Sequence, residues 1–117
     1  MDELAAQFLD APNTEEALAW LQGGTRSQIR TLGEDESTVD SISMVEELYA
    51  AGASNVFAVD IDSYDRGANS GKLLIELTDA PTDREQVLGI VSQIAQANGF
   101  DPELDYGQQY VLQAAPN

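Results

Sequence analysis

The sequence predicts an α+β fold, a four-stranded antiparallel sheet with two helices on one face, preceded by a helical arm. Three observations lead there. From residue 25 the apolar spacing changes in the order strand, helix, strand, strand, helix, strand. Both helical segments carry cap signals at their ends, and a glycine-containing break, DRGANSG, separates two runs of alternating apolar residues.

The arm comes first, over residues 1–24. Leu4, Phe8 and Leu9 share one helical face until Pro12 interrupts it. Asn13 then has the place of a helix cap answered by Glu16, and Ala17, Leu18, Trp20 and Leu21 supply an apolar face before Gly23 and Gly24 stop it. Trp20, the single tryptophan, is either a partner anchor or an aromatic residue packed on its own domain.

Residues 25–117 form the main domain, and the whole chain is read as one compact unit. SQIRTL is the first strand, followed by the acidic turn GEDE and by Ser37, whose spacing to Asp40 resembles a capping box. Val39, Ile42, Val45, Leu48 and Tyr49 repeat at helical spacing, and Gly52 stands where a left-handed cap residue ends the helix. Residues 55–64 read as a strand with Phe57, Val59 and Ile61 on one face; residues 72–78 read as its partner, with Leu73, Ile75 and Leu77 on one face. Thr82 and Glu85 have capping-box spacing before a helix bearing Val87, Leu88, Ile90, Val91, Ile94 and Ala95, which ends at Asn98 and Gly99. YGQQYVLQA supplies the last strand. The element order is the split β-α-β arrangement (βαββαβ) of ferredoxin-like folds.

Composition narrows the chemistry. The chain has 117 residues, 43% of them hydrophobic, which suffices for one core. It has no cysteine and no histidine, so disulfides and the usual zinc or non-haem iron ligands are absent from the sequence, and no cofactor is expected. No basic stretch precedes an apolar one and no apolar run is long enough to span a bilayer, so neither a signal peptide nor a membrane contact is expected, and a cytoplasmic location follows by default. Twenty-one acids stand against five bases, for a formal charge of −16. Direct binding to nucleic acid or an anionic membrane is disfavoured, because both depend on Lys and Arg displacing counterions. A charged partner should be a basic protein, unless the acidity serves only solubility or a salty environment.

The candidate site lies on FAVDIDSYDRGANSGKLLIEL, residues 57–77. With helices on one sheet face, Asp60, Asp62, Leu74 and Glu76 point to the other, joined by Val111 from the last strand. Centring the hairpin near Ala68 sets Ile61 opposite Ile75, Val59 opposite Leu77 and Asp60 opposite Glu76. Facing like charges cost up to about 1 kcal/mol unless a cation intervenes; Arg30 is the nearest arginine, with Gln28 beside it. A hard cation such as Ca2+ or Mg2+ among Asp60, Asp62 and Glu76 is the alternative, although DIDSYDRG lacks the third acid and the distal glutamate of a calcium loop.

Catalysis has little to draw on. Ser63 and Ser70 have only acids or Lys72 nearby to activate them, and the acids of GEDES would repel a phosphate from the first loop, where small phosphatases of this topology hold one. No central aromatic platform for RNA is present. Ligand-sensing domains of the same element order bind a metabolite between two copies, and Leu74, Val111 and the arm offer apolar surface for a homodimer. The expectation is therefore a non-enzymatic acidic interaction module, an inhibitor, immunity-type or regulatory subunit, binding a basic partner through the open sheet face. The alternative is a small carboxylate-site domain that takes a divalent cation or a metabolite.

Overall fold

A two-residue turn at Asp65 and Arg66 organises the chain. The computed structural model describes residues 3–33 and 37–114, so the acidic turn expected at Glu34, Asp35 and Glu36 lies outside the described residues. The elements in order are α1 (Glu3–Asp10), β1 (Glu15–Glu16), α2 (Ala17–Gln22), β2 (Ile29–Leu32), α3 (Thr38–Ala51), β3 (Asn55–Val59), β4 (Asp62–Tyr64), β5 (Gly67–Ser70), β6 (Lys72–Glu76), α4 (Pro81–Ala97) and β7 (Tyr110–Ala114).

Tyr64 pairs with Gly67 across the turn, and the same register runs through Asp62 with Asn69 to Val59 with Lys72 and Asn55 with Glu76. Residues 55–76 are thus one long hairpin, bent where Asp60 adopts φ +50° and where the Ser70 hydroxyl donates to the Val59 carbonyl at 2.6 Å. The bend divides the pairing into two sheets. A four-stranded antiparallel sheet has the order β1-β3-β6-β7, and a three-stranded mixed sheet has the order β2-β5-β4.

The α+β class and the four-stranded antiparallel sheet stand; the ferredoxin-like order is not confirmed. The strand expected to join the main sheet, β2, runs parallel to β5 in the second sheet, and Glu15–Glu16 occupies an edge of the main one. This changes the second helix too. Because Glu15 and Glu16 pair with β3, α2 begins at Ala17, and the Glu16 carboxylate, not Asn13, accepts from Leu18 and Ala19 N–H at its start. Ser37 caps α3 as its spacing predicts, and Gly52 ends that helix at φ +117°. The Thr82–Glu85 box does not form, since α4 already starts at Pro81, whose missing N–H is no loss in a first turn.

Both faces of the main sheet are covered. Val56, Ala58, Leu73, Ile75 and Val111 pack with Ala17, Trp20 and Leu21 of α2, Val45 and Leu48 of α3, and Val87, Leu88 and Val91 of α4. On the reverse, Phe57, Val59, Leu74, Tyr110 and Leu112 pack with Ala5, Phe8 and Leu9 of α1. The row Leu73, Ile75 and Leu77 does face the helices as expected. Phe57 and Val59 do not; Val56 and Ala58 take that face, because the turn lies at residues 65–66 instead of Ala68 and the shift exchanges the two sides of β3.

Tyr49 links three elements. Its hydroxyl donates to Glu16 Oε2 at 2.7 Å and accepts from the Val56 N–H at 3.0 Å, tying α3 to the start of α2 and to β3. Burial, with the adjacent carboxylate, pushes the tyrosine pKa up to about 12. Removing the hydroxyl leaves Val56 N–H and one Glu16 oxygen without that partner. Tyr49→Phe should cost about 1–3 kcal/mol in urea unfolding with no change in the slope of the transition.

The close approach of β2 to the hairpin has a sharp test. A Cβ on Gly67 would lie 1.9 Å from the Ile29 carbonyl oxygen, whereas one on Gly71 meets nothing within 4 Å. Gly67→Ala should destabilise the fold by at least about 2 kcal/mol in urea unfolding, and Gly71→Ala by less than about 1 kcal/mol.

Candidate functional site

The residues expected to form one open face are dispersed. Asp60 sits at the hairpin bend and pairs with Lys72 at 3.3 Å, both side chains about half exposed. Asp62 lies on β4 in the second sheet, opposite Asn69. Glu76 is at the far end of β6, opposite Asn55 and Tyr110 rather than Asp60. Among the described residues no group of three or more acidic side chains is placed to hold a metal ion. The cation site read at Asp60, Asp62 and Glu76 is therefore corrected, and its physical cause is the register.

The apolar members of that face are corrected as well. Leu74 is buried under α1 and Val111 lies in the helix-covered core, so neither is free for a partner or a second copy. Trp20 is only 3% exposed and packs within its own subunit. Arg30 does not approach Glu76; it stands opposite Ala68 on β2, and its Nη1 donates to the Trp20 carbonyl at 2.7 Å.

Glu76 has a structural setting of its own. Asn55 Nδ2 donates to Oε1 at 2.7 Å, while Tyr110 Oη and Gln109 Nε2 donate to Oε2 at 2.9 and 3.2 Å. The Asn55 bond first, and then those of Tyr110 and Gln109, outweigh partial burial and hold this carboxyl below its ordinary value. Neutral donors thus do what a cation was expected to do.

A different segment presents a surface. Between α4 and β7 the chain reads FDPELDY, residues 100–106, in which large apolar side chains are interspersed with acids. Phe100, Leu104 and Tyr106 are 59%, 72% and 77% exposed. Three exposed large hydrophobic residues within seven positions are a concentration along the chain.

The segment is nonetheless pinned. Arg84 of α4, itself buried, forms a two-pronged ion pair with Asp105 through Nη2 at 2.7 Å and Nε at 3.2 Å. Its Nη1 donates to the carbonyls of Thr78 and Gln108. Asp105 Oδ1 in turn accepts from the Gly107 N–H, where φ is +86°. The Arg84 hydrogen bond, followed by that of Gly107, holds the Asp105 carboxyl below its ordinary value. At its middle the Ser92 hydroxyl donates to the Glu103 carbonyl and accepts from the Glu103 N–H. The Glu103 backbone and the Asp105 carboxylate are held while Phe100, Leu104 and Tyr106 remain exposed. A fixed loop loses less conformational freedom on binding than a mobile one. The sequence carried a signal for it in the alternation of FDPELDY, but helix and strand periodicities both pass over a segment with neither repeat.

The lowered Glu76 pKa makes a pH test. Its stabilising effect is complete above the unfolded value, 4.5 for the isolated group, and is lost as pH falls through the lower folded value. The stability difference between the native chain and Glu76→Gln, measured by urea unfolding, should be constant near neutrality and narrow as pH drops below 4.5.

Compared with known proteins, the chain matches no family model, no curated protein and no solved structure. The functional reading rests on the geometry.

Proposed function

We propose that the protein is a non-enzymatic acidic interaction module, and that it engages a basic protein partner through residues 100–106 rather than through a sheet face. The observation that carries this reading is the exposure of Phe100, Leu104 and Tyr106 on a loop fixed by Arg84 and Ser92. Asp101 and Glu103 alternate with these residues along the chain, so the segment carries apolar side chains and negative charge together. A partner segment with lysines or arginines around an apolar residue complements both features. Aromatic anchors supply most of the affinity at such contacts, and charge supplies orientation and rate. The overall charge of −16 favours approach of the same class of partner.

The sheet faces are poor alternatives because α1 and the other helices cover them. The test uses the native chain and a Leu104→Ser/Tyr106→Ser double variant as paired baits in cell extract at about 0.15 M salt. The expected outcome is a basic protein retained by the native chain and lost with the variant, its affinity falling as salt rises. Equal retention by both baits, or no basic protein on either, overturns the reading. Both substituted residues are exposed, so unchanged thermal unfolding separates loss of contact from loss of fold.

A further inference from the structure

A cleft on another part of the molecule carries a second site. It opens where the hairpin bend separates the two sheets, encloses about 350 Å³, and is lined by Asn13, Glu15, Trp20, Arg30, Ile61 and Ser63 among others. That volume is at the lower end of the range, roughly 300–1,000 Å³, in which small-molecule sites fall. Its outstanding group is Arg30. Lys72 and Arg84 are engaged with Asp60 and Asp105, but Arg30, half-buried, has no carboxylate within ion-pair distance among the described residues.

Arg30 is held without a carboxylate partner among the described residues. Nη1 donates to the Trp20 carbonyl, and the guanidinium carbon lies 5.8 Å from the Trp20 ring centroid. The close backbone at Gly23 gives it room, since a Cβ there would come within 2.7 Å of Nη1. A guanidinium has five N–H donors in a planar fork, and the Trp20 carbonyl takes one. The fork matches a carboxylate better than a spherical anion does. Glu15 stands on the same cleft and the chain as a whole is strongly acidic, which opposes a multiply charged anion and favours a ligand that brings its own positive charge.

We propose that this cleft binds a small zwitterion, a free amino acid or related amino-carboxylate, with its carboxylate on Arg30 and its ammonium toward Glu15. The site is separate from residues 100–106, so the Leu104→Ser/Tyr106→Ser variant should keep it.

Calorimetry on the full chain with L-alanine, L-leucine and L-phenylalanine, and with acetate and ethylamine as single-charge controls, tests the assignment. Saturable binding of at least one amino acid is expected, weakened about tenfold or more by Arg30→Gln and by Glu15→Gln. The Arg30 Nε–H signal should shift on titration in 15N NMR, a measurement that needs no variant to fold. Absence of saturable binding with an unmoved Arg30 signal overturns the site. Acetate binding as tight as the amino acids, and insensitive to Glu15→Gln, overturns the ammonium contact and with it the zwitterion.

Discussion

The register of the bent hairpin is the constraint from which most of this structure follows. With Tyr64 opposite Gly67, each side chain from Asn55 to Glu76 is assigned a face, and a shift of one residue in either strand would exchange the two faces. Gly67 secures the assignment from outside. Its missing side chain lets β2 run against the hairpin so closely that Ile29 donates its N–H to the Arg66 carbonyl at 2.9 Å. The bend at Asp60 then lets one hairpin serve two sheets. The lateral edge of its returning strand is shared end to end, β2 beside β5 and β7 beside β6.

Few positive charges serve a chain this acidic, and two of them do structural work inside it. Arg84 ties the start of α4 to the segment before β7 through the Asp105 carboxylate and the Gln108 carbonyl, and also holds the Thr78 carbonyl just ahead of the helix. Lys72 closes the bend against Asp60 and lies 5.9 Å from the Phe8 ring centroid, at the border of the face under α1. The Lys72–Asp60 pair is half exposed, a setting in which screening leaves little net stabilisation. Arg84 is different, because a buried guanidinium deprived of its acceptors would be costly to the fold. Position, more than number, decides what each cation contributes.

Elements with a strong period are legible in the sequence. The helix begun by Ser37 and ended by Gly52, the helix bearing Val87, Leu88 and Val91, and the strand row Leu73, Ile75 and Leu77 lie as their spacing indicates, except that Val39, read into the buried row of the first, is exposed. The failures on the hairpin share one origin. DRGANSG reads as a linker because it holds two glycines, yet Gly67–Ser70 is a strand, and neither Asp65 nor Arg66 has the positive φ that an Asn-Gly or Gly signal would mark. Phe57 and Val59 offered as good an apolar row as Val56 and Ala58, since both faces of β3 are buried. Alternation cannot choose a face when each is covered. The site inherited the error: Asp60, Asp62 and Glu76 shared a face only in the displaced register, and the segment at residues 100–106 had no repeat to draw notice.

The cover on the reverse face has a dynamic consequence. α1 is eight residues long, too short to persist in water by its own hydrogen bonds, so it is helical only while Ala5, Phe8 and Leu9 remain seated on the sheet. Detaching it requires no disruption of the larger core on the opposite side. Subglobal opening should therefore begin at this end, with amide exchange along α1 faster than in β6 beneath it. Each opening uncovers Phe57, Leu74 and Leu112 together, a greasy strip across three adjacent strands. Self-association on storage or heating would start from that transient species while the rest of the molecule is still folded.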